Sequence, residues 1–243
     1  ISEEFWIEMR REQQAFNKAI ERYRSGIKGG IIITGERNSG KTTMCQYVLK
    51  KHFADNKVFH IFPPVEGSIN PSDFERELGK ATGIPRSKSE IYSSLQFESV
   101  LVLHDLELWW QRHSDGFNLI KEIIKDIDRY SNSYLFIINM NIYSYELVNN
   151  ALDLQDHLIG VIECQPFDSE NLKSLIMKRH ESSGLSFVLE NRNEENLSQL
   201  RMAKLFSKYF DFTKGNPGVT LNTWMSNITQ YKNEQLFIRY PIN

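Results

Sequence analysis

Residues 31–49 read IIITGERNSGKTTMCQYVL: a short apolar run, a glycine-bounded loop and the opening of an amphipathic stretch. Within them Gly35, Glu36, Arg37, Asn38, Ser39, Gly40, Lys41 and Thr42 satisfy G-x-x-x-x-G-K-[ST] in full. The flanks are strand-like before and helix-like after, the context the pattern requires. Its glycines permit backbone angles that turn several N–H groups inward as an anion nest, and a helix N-terminus adds positive partial charge. In that setting Lys41 would reach the β- and γ-phosphates of a nucleotide, Thr42 would ligate Mg²⁺ through its hydroxyl, and Thr43 would lie by the α-phosphate. A Gly-rich turn without a ligand is the competing reading, but a chance match in a chain of this length is on the order of one per cent at ordinary glycine usage. The stretch is read as a nucleotide grip; whether the nucleotide is also split needs further residues.

Working outward, short apolar runs alternate with amphipathic stretches. The runs are IIIT (31–34), VFHIF (58–62), VLVLH (100–104), YLFIIN (134–139) and LIGVIE (158–163), separated by TTMCQYVLKKHF, PSDFERELGKATG, FNLIKEIIKDIDRY and YSYELVNNAL. Runs of this length, rich in Ile, Val and Phe, suit strands buried on both faces. Their alternation with helices predicts an α/β fold, a doubly wound parallel five-stranded sheet. Before it, residues 1–28 form a helical segment, with Phe5, Met9, Phe16, Ile20 and Tyr23 at roughly helical spacing and Gly26, Gly29 and Gly30 ending it.

After Pro166 the alternation ceases. DSENLKSLIMKRHESSG and EENLSQLRMAKLFSKYF read as helices, and a third begins at Pro217 with Asn216 as its N-cap. LSFVLENRN between the first two reads as an extended connection. The expected organisation is an α/β core over 1–166 and a small, mainly helical lid over 167–243.

A phosphate loop calls for a second acidic group on the metal. VLVLHDLELWW supplies Asp105 at the end of a buried strand, suited to hold Mg²⁺ through its water shell. Glu107 follows two residues on; in an extended strand both would point the same way, leaving Glu107 beside Asp105 to polarise an attacking water. Against this stands a solvated surface acid. His104 reads as a hydrogen-bonded strand-end residue, and Trp109 and Trp110 as packing groups.

The order of these parts resembles the additional-strand P-loop ATPases, most closely the AAA+ and STAND branch. The resemblance implies that the strand after the acidic one lies between the first and third and ends in a polar sensor, for which YLFIINMN offers Asn139, with Asn141 in reserve. It implies ATP/ADP and Mg²⁺ as cofactors, catalytic roles for Lys41, Glu107 and Asn139, and a helical lid whose GNPG (Gly215–Gly218) starts a second sensor helix. Pro217 would line the nucleotide, with Tyr23, Gly26 and Ile27 as further adenine contacts.

There are three departures. Leu106 separates Asp105 from Glu107, where the family usually has Asp-Glu. Gly218 stands where an Arg commonly follows Asn-Pro, and Lys214 offers only a flexible ammonium in place of a guanidinium fork. Residues 130–172 contain no Lys or Arg, so the usual arginine finger is missing. Such a finger contributes roughly 10³–10⁵ in rate in related enzymes. The expectation is therefore an ATP-binding domain of a larger protein, hydrolysing slowly and switching a lid or partner. An oligomer or partner would supply an arginine; Arg112 faces a neighbour in one version. The alternative is a module that retains nucleotide without splitting it; a small-molecule kinase ranks third, since Arg179, Arg192 and Arg201 form no tight cluster. No N-K-x-D motif marks a guanine site.

Composition agrees with a soluble globular domain, expected to be cytoplasmic even if the parent protein is membrane-tethered. Of 243 residues, 40% are apolar and 25% charged, and the net charge of −2 gives no general pull toward nucleic acid. The basic pairs Arg10-Arg11 and Lys50-Lys51 sit among acids without an aromatic stripe. Two cysteines, Cys45 and Cys164, lie in apolar segments and read as small buried residues. No run of 18 apolar residues occurs. The start at Ile1 is taken as the edge of a domain within a longer chain.

Overall fold

The computed structural model describes residues 3–65 and 70–241. Two compact units emerge: Met9–Arg37 with Lys41–Cys164, and Ile1–Glu8 with Asn38–Gly40 and Gln165–Asn243.

The first unit opens with helix α1 (Arg10–Arg24), followed by β1 (Gly30–Gly35), α2 (Lys41–His52), β2 (Val58–Ile61), α3 (Pro71–Thr82), α4 (Lys88–Ser94), β3 (Ser99–Leu103), α5 (Asn118–Tyr130), β4 (Tyr134–Asn141), α6 (Ile142–Leu152) and β5 (Leu158–Glu163). The helix α1 starts later than the sequence spacing implied: Glu3–Phe5 is a 3₁₀ turn and Met9 is the N-cap of α1. Of the five apolar positions Phe16, Ile20 and Tyr23 therefore lie on the helix, in a buried face they share with Glu12 and Ala19. The short α4 is absent from the sequence reading. Its signal is the capping box of Ser87 and Glu90, in which the Ser87 N–H donates to Glu90 Oε2 at 3.1 Å.

All five strands pair in parallel in the order β2-β3-β4-β1-β5. The extra strand β4 thus lies between β1 and β3, aligned as Ile31↔Ile137 and Gly35↔Asn141 on one side and Leu103↔Ile138 on the other. This register brings the carboxyl ends of β1, β3 and β4 to one edge of the sheet, where ligands of such folds bind. One face carries Ile32, Leu101, Leu103, Phe136 and Ile138, covered by Leu119, Ile120, Ile123 and Ile127 of α5. These positions recur at helical spacing, and each buried aliphatic side chain contributes about 1.5–3 kcal/mol. Trp109 joins this core fully buried, its ring edge-on to Phe74. Cys45 and Cys164 are both buried and free.

The second unit contains α7 (Ser169–Glu181), β6 (Ser186–Leu189), β7 (Arg192–Asn193), α8 (Gln199–Thr213), α9 (Pro217–Ser226), β8 (Ile228–Lys232) and β9 (Gln235–Ile238). Three helices form in the stretches the sequence reads as helical, each with a side-chain N-cap: Asp168, Ser198 and Asn216. The second begins at Gln199 rather than Glu194, because Glu194–Asn196 form a 3₁₀ turn and Ser198 caps the helix. The four-stranded sheet β7-β6-β9-β8 is an addition that the sequence reading did not contain. The presumed extended connection is the β6–β7 hairpin, and residues 228–238 form a second hairpin. Both turns hold two consecutive residues at positive φ, Glu190-Asn191 and Asn233-Glu234. Such turns favour Asn-Gly or Asp-Gly, so these pairs gave no recognisable hairpin signal. Phe187, Leu189, Leu205, Phe206, Tyr209 and Trp224 make the core of this unit, and Ile7 packs with Leu172 and Leu175 in a satellite cluster.

Candidate functional site

The loop between β1 and α2 has the backbone of an anion cradle. Gly35, Asn38 and Gly40 take φ of 150°, 66° and 92°. At Gly40 this left-handed geometry excludes an ordinary side chain without strain, whereas Asn38 tolerates it. Lys41 Nζ donates to the carbonyls of Gly35 at 3.1 Å and Glu36 at 2.8 Å, tying its ammonium across the loop. Burial pulls the Lys41 pKa down, while the Glu107, Cys164 and Asp105 charges oppose that shift. Thr42 and Thr43 follow in the first turn of α2, Thr42 exposed.

The cradle also carries buried polar atoms without a partner. Ser39 is only 4% exposed, and neither its Oγ nor Thr34 Oγ1 meets a hydrogen-bond partner in the protein. An unsatisfied buried hydroxyl costs about 1–3 kcal/mol, a penalty that a phosphate oxygen at this loop would relieve at Ser39. The residues therefore fit a nucleotide polyphosphate. Among the described residues no three His, Cys, Asp or Glu side chains cluster as a metal cage. Mg²⁺ is ordinarily held by one or two carboxylates plus phosphates and water, for which Asp105 and the Thr42 hydroxyl suffice.

The acidic segment differs from the extended geometry expected of it. The strand ends at Leu103, Asp105 turns left-handed (φ 48°, ψ 54°), and Leu106–Leu108 close a 3₁₀ turn. Glu107 thus does not sit two places along a strand from Asp105; the turn, not strand alternation, sets its position. Glu107 Oε2 accepts the Asn141 N–H at 3.2 Å. Burial raises the Glu107 pKa, Asp105 adds to the rise, and the hydrogen bonds and Lys41 oppose it. A carboxylate made more basic by burial is a better proton acceptor than an exposed one.

Asn139 and Asn141 occupy different places. Asn139 is 1% exposed, and its Nδ2 donates to His104 Nδ1 at 3.0 Å. Asn141 ends β4: its N–H meets Glu107 and its Oδ1 accepts from Tyr143 N at 3.0 Å as the N-cap of α6. The polar residue at the open end of the strand is therefore Asn141, while the Asn139 amide is engaged inside the sheet. Tyr143 reaches back to the loop, its hydroxyl donating to Glu36 Oε1 at 3.3 Å.

His104 is the hydrogen-bonded strand-end residue expected from the sequence, and His60 is a partner that the sequence did not single out. His104 is 3% exposed, its Nε2 lies 2.9 Å from His60 Nδ1, and Phe62 stacks on its ring at 4.4 Å and 5°. Burial, helped by His60, pushes the His104 pKa down to about 4, so the imidazole is neutral. The available signal was period two: His60 and Phe62 alternate along β2 and its end, beside His104.

In the second unit, which includes Asn38–Gly40, the Gly218 N–H donates to Asn38 O at 3.0 Å. A Cβ on Gly218 would meet Asn38 Cβ at 2.7 Å and Asn38 O at 3.0 Å. Position 218 therefore has no room for the arginine that the resemblance led one to look for. Pro217 is buried at N1 of α9, with its Cγ 4.0 Å from where a Gly40 Cβ would stand.

No protein-family model and no curated protein sequence matches the chain. Solved structures do share its fold. A RuvB variant of Thermotoga maritima aligns at 12% identity and TM-score 0.56, covering 91% of this chain and 62% of that one. Cdc6p from Pyrobaculum aerophilum aligns at 12% and 0.60, covering 94% and 65%. Aeropyrum pernix ORC1, solved in complex with DNA, aligns at 16% and 0.54, covering 88% and 63%. The chain thus spans less than two thirds of each. The fold is that of the AAA+ P-loop ATPases, an additional-strand α/β core.

Proposed function

We propose that this chain is an ATP-binding domain of AAA+/STAND type within a larger protein, hydrolysing ATP slowly and coupling nucleotide state to its C-terminal unit or a partner. The observation that carries this is the glycine-bounded loop between β1 and α2, with the Lys41 ammonium tied across it to the Gly35 and Glu36 carbonyls. Lys41 and the loop N–H groups would hold the β- and γ-phosphates, and Glu107 would take the proton of the attacking water. Asp105 and Thr42 would hold Mg²⁺, which when bound supplies positive charge against the phosphates. Asn141 replaces Asn139 as the sensor in this reading, because it ends the strand beside Glu107.

Residues 130–172 offer no arginine finger, so turnover by the isolated chain is expected on the order of 10⁻⁴–10⁻³ per second. A partner supplying an arginine would raise it. The runner-up, a module that grips nucleotide without splitting it, is favoured by the Asn141 N–H occupying the Glu107 carboxylate. Steady-state hydrolysis across a protein-concentration series, beside Lys41→Ala and Glu107→Gln, separates the two. Turnover abolished in Glu107→Gln with ATP still bound supports the ATPase. Tight binding lost in Lys41→Ala, with no turnover at any concentration, supports the grip. Absence of ATP binding in the wild type would sink both.

A further inference from the structure

We propose that His104 is a positioning residue for the metal carboxylate, holding the joint that aims Asp105; this rests on the nucleotide reading above. The argument begins at the backbone. His104 N–H donates to Ile61 O at 2.9 Å, the last tie of that strand to β2. The next residue, Asp105, is left-handed, and the 3₁₀ turn bearing Glu107 follows at once. Asp, like Asn38, enters that conformation more readily than most side chains, so the joint is set by what is paired on either side of it rather than by strain at Asp105. The direction of Asp105 is decided at one joint, and His104 is its last fixed point.

His104 is fixed on three sides. His60 takes one ring nitrogen, Asn139 the other, and Phe62 covers a face. The Asn139 NH₂ can only donate, so His104 Nδ1 accepts, its hydrogen sits on Nε2, and that N–H donates to His60 Nδ1. This directional chain allows one ring orientation. Beyond it, the Asn139 amide meets the Cys45 thiol on α2, one helical turn past Lys41. The row therefore ties β2, β3 and β4 to the phosphate-loop helix. Leu101, Val102 and Leu103 fill the strand without polar atoms, so burial alone did not call for an imidazole here. Being buried, His104 does not touch nucleotide; it acts through its neighbour, as outer-shell groups orient metal ligands.

The test is ATP affinity of the whole chain with Mg²⁺ and with EDTA, for wild type, Asp105→Asn, His104→Phe, His104→Asn and His60→Phe. The ratio of the two dissociation constants is the readout, because general damage weakens binding in both conditions. His104→Phe keeps the ring and its stacking but loses the chain, and should lose roughly tenfold of the Mg²⁺-dependent gain, as second-shell variants do. Its EDTA affinity should stay near wild type. His104→Asn retains an acceptor for Asn139 and should recover part of the gain. Should His104→Phe not fold, His60→Phe removes one support from the half-buried end and should show a smaller loss of the same ratio. An unchanged ratio in His104→Phe, or in His60→Phe where that variant stands in, overturns the proposal. So does an equal loss with and without metal. If the wild type binds no ATP, the functional reading has failed; if it binds with a Mg²⁺ gain that the histidine variants keep, only this inference has.

Discussion

Glu107 is the residue whose environment makes the sharpest prediction. Its pKa is raised from 4.5 chiefly by burial, so the folded state holds the proton more tightly than the unfolded chain. The stability linked to that proton is present below about pH 4.5 and is lost as pH rises through the higher folded value. At neutral pH the charged carboxylate is thus a net burden. Glu107→Gln, which can still accept the Asn141 N–H, should stabilise the protein at pH 7 by less than about 1 kcal/mol, since partial exposure screens the charge. Denaturant titrations at pH 7 and pH 4 check this: the gain should shrink at the lower pH. A gain that grows on acidification would contradict the assigned environment. Gly218 gives a steric counterpart. Gly218→Ala sets a methyl 2.7 Å from Asn38 Cβ and should destabilise by about 1–3 kcal/mol, measured as a lowered denaturation midpoint.

Among the elements, α9 and α5 separate two sources of stability. The N-terminus of α9 depends on Asn216, whose Oδ1 accepts from Val219 N at 3.1 Å, with Pro217 preset for the first turn. Asn216→Ala should cost about 0.5–2 kcal/mol. The buried stripe of α5 is a packing matter: Ile123 is 1% exposed against the sheet, and Ile123→Ala should cost about 2–5 kcal/mol through lost contacts and a residual cavity. Urea titrations of the two variants would rank them, and the reverse order would mean that the cap matters more than the core. The strand β4 shows how an element carries function by position. Its insertion between β1 and β3 sets Asn141 opposite Gly35 and so delivers a backbone N–H to Glu107.

For the molecule as a whole, two compact units each possess their own core, and the chain passes between them at four points: 8/9, 37/38, 40/41 and 164/165. Two of these crossings bracket Asn38–Gly40, so the crest of the phosphate loop is grouped with the C-terminal unit while Lys41 and Thr42 open α2 of the first. Among the described residues no helix is long and apolar enough to cross a membrane.

The sequence by itself determined what depends on local chemistry. The five strand runs, the glycine-bounded loop with Lys41 and Thr42, and the Asn216 cap could be read directly, because strand pattern, left-handed turns and capping are set by neighbours along the chain. The full burial expected of all five runs holds for β1, β3 and all but the last residue of β4, while the edge strands β2 and β5 are partly exposed. That the strand after the acidic one lies between the first and third followed from the family resemblance, and the sheet has it so. Tertiary structure alone decided the rest. The position of Glu107 depends on a left-handed turn at Asp105 that strand periodicity does not encode, and on an Asn141 N–H 34 residues away. The His60–His104–Asn139 row joins three strands, each residue unremarkable in its own segment. The second sheet rests on hairpins without glycine and on pairing between β6 and β9, far apart in sequence. Those features arise from contacts across the fold, where the energy of a side chain depends on partners that its neighbours in the chain do not reveal.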